Sequence, residues 1–137
     1  MKSRIAFAVA LTVVLLSVAS FAQNQTGLMK ANIPFQFYAG SKLMPAGDYS
    51  IRPMSPKVML LQLDKTGFQR LVVSHSIERR VSVTDAMLTF RHSGDRYFLR
   101  QIWNVGASIG QELPNTKLET NVARNGYSHE VFVLARK

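Results

Sequence analysis

Beyond residue 30 the apolar positions recur at every second residue in short runs. Gly, Pro and Asp punctuate the runs, a pattern of β-strands rather than helices. Ile33, Phe35 and Phe37 alternate with Gln36 and Tyr38. Pro34, which lacks a ladder donor, puts this strand at a sheet edge or marks its start. Ala39-Gly40-Ser41-Lys42 and Pro45-Ala46-Gly47 suit turns. Tyr49 and Ile51 alternate within 48–52, and Pro53 and Pro56 end that run. Val58 to Leu63 is apolar except for Gln62, as expected of a strand covered on both faces. Asp64-Lys65-Thr66-Gly67 then forms a hairpin turn that sets Leu63 beside Phe68, Leu60 beside Leu71 and Val58 beside Val73.

A second hairpin runs up from Ala86 to Arg91, turns at Ser93-Gly94 and returns from Asp95 to Trp103. A two-residue turn there pairs Phe90 with Tyr97 and Leu88 with Leu99. It also sorts Arg91, Arg96 and Arg100 onto the opposite face. The stretch 76–85 is an irregular strand or a crossing loop, and 104–110 is loop. One short helix is expected over 111–125. Asn115 caps it, Leu118 and Val122 share its apolar face, and Asn125-Gly126 stops it. Val131, Phe132, Val133 and Leu134 read as a buried terminal strand. These elements predict a mainly β chain, a single small antiparallel β-sandwich or barrel.

The N-terminus follows a different rule. Lys2 and Arg4 precede a 14-residue uncharged stretch, Ile5 to Val18, and Ser20-Phe21-Ala22 places small residues before a cut at Ala22/Gln23. This is the order of parts in a cleavable signal peptide. The stretch is short of the roughly 20 apolar residues of a spanning helix. The expected organisation is therefore signal peptide 1–22, polar leader 23–30 and one β domain 31–137. No transmembrane segment remains after cleavage, and the protein is expected in the periplasm or outside the cell. With no cysteine in the chain, disulfides and thiolate metal sites are excluded.

The chain is strongly basic. Without Lys2 and Arg4 the chain keeps 15 basic residues against 8 acidic ones, a net charge of +7. Arg70, Arg79, Arg80, Arg91, Arg96 and Arg100 fall within 31 residues. Arg70, Arg91, Arg96 and Arg100 are the anion-binding candidates, because guanidinium forks match phosphate and carboxylate groups. The plainer alternative is a solvated face balanced by Glu78, Asp85 and Asp95. Phe35, Phe37, Phe90, Tyr97 and Trp103 either fill a core or line an apolar pocket for a small hydrophobe.

No residue set carries a catalytic signature. His75, His92 and His129 are 17 and 37 residues apart, which fits no local metal-ligand motif, so no metal or cofactor is expected. In Ser74-His75-Ser76 neighbouring side chains of a strand point to opposite faces, so the imidazole cannot serve either hydroxyl. Asp48, Asp64 and Asp95 sit in turns, where side-chain bonds to the backbone account for them.

Asn32-Ile33-Pro34-Phe35, Leu43-Met44-Pro45-Ala46-Gly47-Asp48-Tyr49, Gly94-Asp95-Arg96-Tyr97-Phe98-Leu99 with Ile102-Trp103, and Glu112-Leu113-Pro114 span most of the mature chain. Together they resemble an uncharacterised family of small exported β proteins common in acidobacterial genomes. The resemblance implies an exported β domain and no particular activity. Gln36 and Met44 depart from it, standing where more polar or acidic residues are expected. The expected function is a non-enzymatic, exported binding or structural domain at the cell envelope. Its partner would be an anionic glycan, a lipid phosphate or another protein, with no specific nucleic acid. The alternative is a lipocalin-like carrier of a small apolar ligand.

Overall fold

The computed structural model describes residues 27–136. The segment read as a signal peptide, 1–22, and the first half of the polar leader lie outside them. The chain is mainly β, as its alternation predicts. Eleven short strands run in the order β1 (Met29–Ile33), β2 (Phe37–Ala39), β3 (Lys42–Met44), β4 (Gly47–Ser55), β5 (Val58–Leu63) and β6 (Gln69–Val73). Then follow β7 (His75–Glu78), β8 (Met87–Ser93), β9 (Arg96–Trp103), β10 (Ile109–Glu112), the helix α1 (Lys117–Arg124) and β11 (Ser128–Arg136). The hydrogen-bonded path is β3-β2-β9-β8-β11-β1-β4-β5-β6, curled into a half-barrel. The far edge turns back at Ser74. There β6 passes into β7, and β7 pairs with β10, which pairs with β9. Ser74 itself is tied at both ends: its N–H donates to the Lys57 carbonyl and its hydroxyl to Gln111 Oε1, each at 2.8 Å.

The concave face holds the core. Met29, Ala31, Ile33, Phe37, Tyr49, Ile51, Leu61, Leu88, Phe90, Leu99 and Ile102 are buried there, drawn from alternate positions of their strands. Met29, within the segment read as the polar leader, already belongs to this core. Met44, where a polar residue was expected, is fully buried as well.

The β5–β6 hairpin has the register expected, with Val58 opposite Val73 and Leu60 opposite Leu71. Its turn is closed by Gly67, whose φ of 71° suits glycine and whose N–H donates to the Leu63 carbonyl at 2.8 Å. Elsewhere the structure corrects the alternation. Pro34 splits the first expected strand in two, so Phe35 and Gln36 lie between β1 and β2.

The β8–β9 turn is Gly94-Asp95 rather than Ser93-Gly94, with positive φ at Gly94 alone, as in type II′ hairpins. Phe90 therefore faces Leu99, and His92 faces Tyr97. Further up, the register shifts: Thr89 faces Gln101 and Leu88 faces Ile102, leaving Arg100 as the extra residue of a bulge.

The helix is shorter than expected. Gln111 and Glu112 pair with β7 and β9 instead of starting it, and Thr116 is the cap, accepting from the Glu119 N–H at 3.2 Å. The last correction is β11. Val131 and Val133 pack against the core, but Phe132 and Leu134 are 55% and 70% exposed on the convex face. Period two sends alternate residues to opposite faces, and among the described residues nothing covers this face at β11.

Candidate functional site

The arginines lead to the helix. Arg91 and Arg96 on the β8–β9 hairpin share the convex face, and the bulge presents Arg100 beside them. α1 packs on β8 and inserts Glu119, the one fully buried residue of the helix. Glu119 Oε1 is 3.3 Å from a guanidinium nitrogen of Arg91, and Oε2 is 3.3 Å from one of Arg100. Arg100 also reaches Glu112 at 3.5 Å. Its side chain is only 11% exposed, so Arg100–Glu119 is a buried ion pair.

The cluster extends as a polar network. Gln101 Nε2 donates to Glu112 Oε1 at 3.2 Å, His75 Nε2 lies 3.1 Å from Glu112 Oε2, and Trp103 Nε1 donates to Gln101 Oε1 at 3.0 Å. The face read as a solvated or anion-binding surface therefore already holds carboxylates of its own chain at Arg91 and Arg100. Arg96 is left with only Asp95, at 3.9 Å and exposed. Arg70 does not join them. It lies on β6, separated from β8 by β5, β4, β1 and β11 along the sheet, and its buried Nε has no partner among the described residues.

The aromatic candidates divide as well. Phe35 stacks on Tyr97 with ring centroids 3.8 Å apart and meets Phe90 edge-on at 5.0 Å. Phe37 meets Phe90 and Tyr49 edge-on, each at 5.4 Å. These rings fill the concave face against one another. Trp103 is elsewhere. The extra residue at Arg100 reverses the parity of β9 beyond it, so Ile102 enters the core and Trp103 turns to the convex face. There the indole lies against Gly110, and the Arg79 guanidinium sits 4.3 Å from its centroid.

The remaining polar groups are few. Tyr49 is buried, donates to the Pro45 carbonyl at 2.6 Å, and has its pKa pushed up to about 12 by desolvation. His92 and His129 face each other across β8 and β11, with Nδ1 and Nε2 3.4 Å apart. Among the described residues no three of His, Asp and Glu converge as a metal site, and no helix is long and apolar enough to cross a membrane.

One feature of the structure had no counterpart among the candidate residues. Over Ser128–Leu134, β11 pairs with β8 along one edge only. β1 meets its other edge just at Lys30↔Arg136 and Ala31↔Ala135 before the two strands part. A cleft lined by Lys30, Asn32, Asp48, Asp64, Leu134 and Arg136 opens at this point. The sequence signal for it was present, in the two apolar residues Phe132 and Leu134 on the face opposite Val131 and Val133. No family model, curated protein or solved structure matches the chain.

Proposed function

We propose that this chain is an exported, non-enzymatic binding domain of the cell envelope that holds an extended segment of a partner protein along the free edge of β11. The observation that carries this reading is the seven-residue edge Ser128–Leu134, unpaired on one side, with Phe132 and Leu134 exposed beside it. An unpaired edge presents backbone donors and acceptors to an incoming strand, and side-chain pockets supply the selectivity. Lys30 and Arg136 are directly paired across β1 and β11 at the far end of the edge; Lys30 lies 3.8 Å from Asp64, which leaves Arg136 as the positive charge offered to a partner. The partner segment suited to it is apolar at alternate residues and acidic at one end.

Export rests on the arrangement of residues 1–22. A polypeptide partner suits the structure better than a glycan or lipid phosphate, because two of the four anion-binding candidates are engaged by Glu119. It also suits it better than a carried lipid, because Phe35, Phe37, Phe90 and Tyr97 fill space with one another.

The test uses protein recovered from the exported fraction together with whatever it binds. N-terminal sequencing is expected to begin at Gln23, and hydrogen exchange of the 128–134 amides is expected to be slower in the complex than in the stripped protein. The F132K/L134K variant should lose both the partner and that protection. Unchanged exchange at 128–134, with a salt-sensitive response to polyanions or a response to lipids instead, would replace this reading with the anion-face or carrier alternative.

A further inference from the structure

The geometry points to a second site, at the start of β11 and built across to β8: His92 and His129 form a two-imidazole site for a divalent transition-metal ion, Zn2+ or Cu2+. The two residues are direct cross-strand neighbours on β8 and β11, so the backbone fixes their separation. Nδ1 of His92 and Nε2 of His129 are 3.4 Å apart. Two nitrogens each about 2.0–2.1 Å from a tetrahedral zinc are about 3.4 Å from each other. Without an ion the same contact is a long N–H···N hydrogen bond between the two imidazoles, which the metal would replace. The ring centroids are only 4.8 Å apart at an interplanar angle of 84°, so the rings meet at an angle rather than tip to tip.

The site is held in place before any ion arrives. Tyr97 stacks on His92 with centroids 4.2 Å apart and planes 16° from parallel, and Phe35 stacks on the far side of Tyr97 at 3.8 Å. His92 therefore ends a column of rings rooted in the core at Phe90. Its plane is set by packing, so binding costs little side-chain freedom there. His129 is exposed and leaves the remaining coordination positions to water. Neutral imidazole suits zinc and copper, whereas magnesium and calcium require oxygen ligands. With two protein ligands the ion stays open to exchange and to a further ligand, unlike the closed four-ligand sites that hold small folds together.

The third histidine supplies an internal control. His75 is held by Glu112 on the convex side and has no second imidazole near it.

The experiment titrates the untagged chain with Zn2+ and Cu2+ by calorimetry and reads Cu2+ coordination by electron paramagnetic resonance. One ion per chain is expected, with two equivalent nitrogen donors. H92A and H129A should each lower affinity at least tenfold, H75A should leave it unchanged, and Mg2+ should not bind. An affinity in either H92A or H129A that stays near wild type, a single nitrogen donor, or no binding at all would overturn the proposal. Should H92A disturb the ring column, H129A and the ring-nitrogen shifts of His92 and His129 on adding Zn2+ decide the matter, since only a shared ion moves both. F132K/L134K should still bind the metal, so loss of the protein partner and loss of the metal are separable.

Discussion

The convex face of β8 borders two regions that are treated in opposite ways. Toward β9 it is roofed by α1, and the arginines drawn under the roof arrive with partners: Arg91 and Arg100 with Glu119, and Arg100 again with Glu112. Toward β11 there is no roof among the described residues, and two large apolar side chains and a row of backbone groups are left to water. The charges of the covered region are paired within the chain, which suits a role in holding the domain together. The bare region is unsatisfied in the way that suits contact with another molecule. Charge alone would have ranked the two the other way.

The largest way to break the covered region is to remove Glu119. E119A would leave Arg91 without a carboxylate and Arg100, nearly buried, with Glu112 alone. Losing one partner of a buried pair costs about 3 kcal/mol, read as a drop in the urea midpoint. E119L combined with R100M should recover most of that loss, because a buried ion pair replaced by apolar groups of similar size is often neutral. A loss near zero for E119A would mean that the roof contributes nothing and the two regions are alike.

Packing around Trp103 gives the next effect. A Cβ added at Gly110 would lie 2.6 Å from the Trp103 ring, so G110A should cost about 1–3 kcal/mol. Gly126, just ahead of β11, has nothing within 4 Å of the same added atom. G126A should leave the melting temperature within a degree or two of wild type. Equal effects of the two substitutions would erase the distinction between the regions.

Tyr49, inside the core, sharpens the rule that buried polar groups come with partners. Y49F removes its bond to the Pro45 carbonyl and should cost about 1 kcal/mol at neutral pH. The sign at high pH follows from its pKa, which is pushed up to about 12 from 10.0 by burial. The folded state then holds the proton more tightly than the unfolded state. The stability this group contributes is complete below pH 10 and is lost as pH rises toward 12. In alkaline denaturation the wild-type chain should fall more steeply than Y49F across that window, and parallel curves would contradict the burial of the phenol.

How far the sequence reached follows the same division between local and distant causes. The β5–β6 register was legible because Asp64-Lys65-Thr66-Gly67 fixes it locally. The β8–β9 register was not, because the bulge at Arg100 is settled by pairing across the sheet, and its single extra residue sends Trp103 to the other face. The meeting of Phe35, Phe37, Phe90 and Tyr97 could be read from alternation. The partner of Arg91 and Arg100 could not, since Glu119 reaches them only through the docking of α1, and Leu118 and Val122 looked like the apolar side of that helix. The exposure of Phe132 and Leu134 was hidden for the complementary reason. Alternation says which residues share a face, and whether another layer covers that face depends on the rest of the chain.

The smallest effect on stability is expected where the effect on binding is largest. Phe132 and Leu134 point into solvent, so F132K/L134K should unfold within about 0.5 kcal/mol of wild type. Lysines on an exposed strand also oppose edge pairing by a second copy of the chain. The wild-type chain at rising concentration, followed by light scattering, then offers a sharper version of the comparison. If the β11 edge is kept for a partner of different sequence, wild type and variant both stay monomeric and only wild type retains the partner. If wild type dimerises and the variant does not, the edge serves self-association, and the segment it recognises is β11 itself. If the variant unfolds early, Phe132 and Leu134 are part of the packing after all, and the bare region joins the covered one.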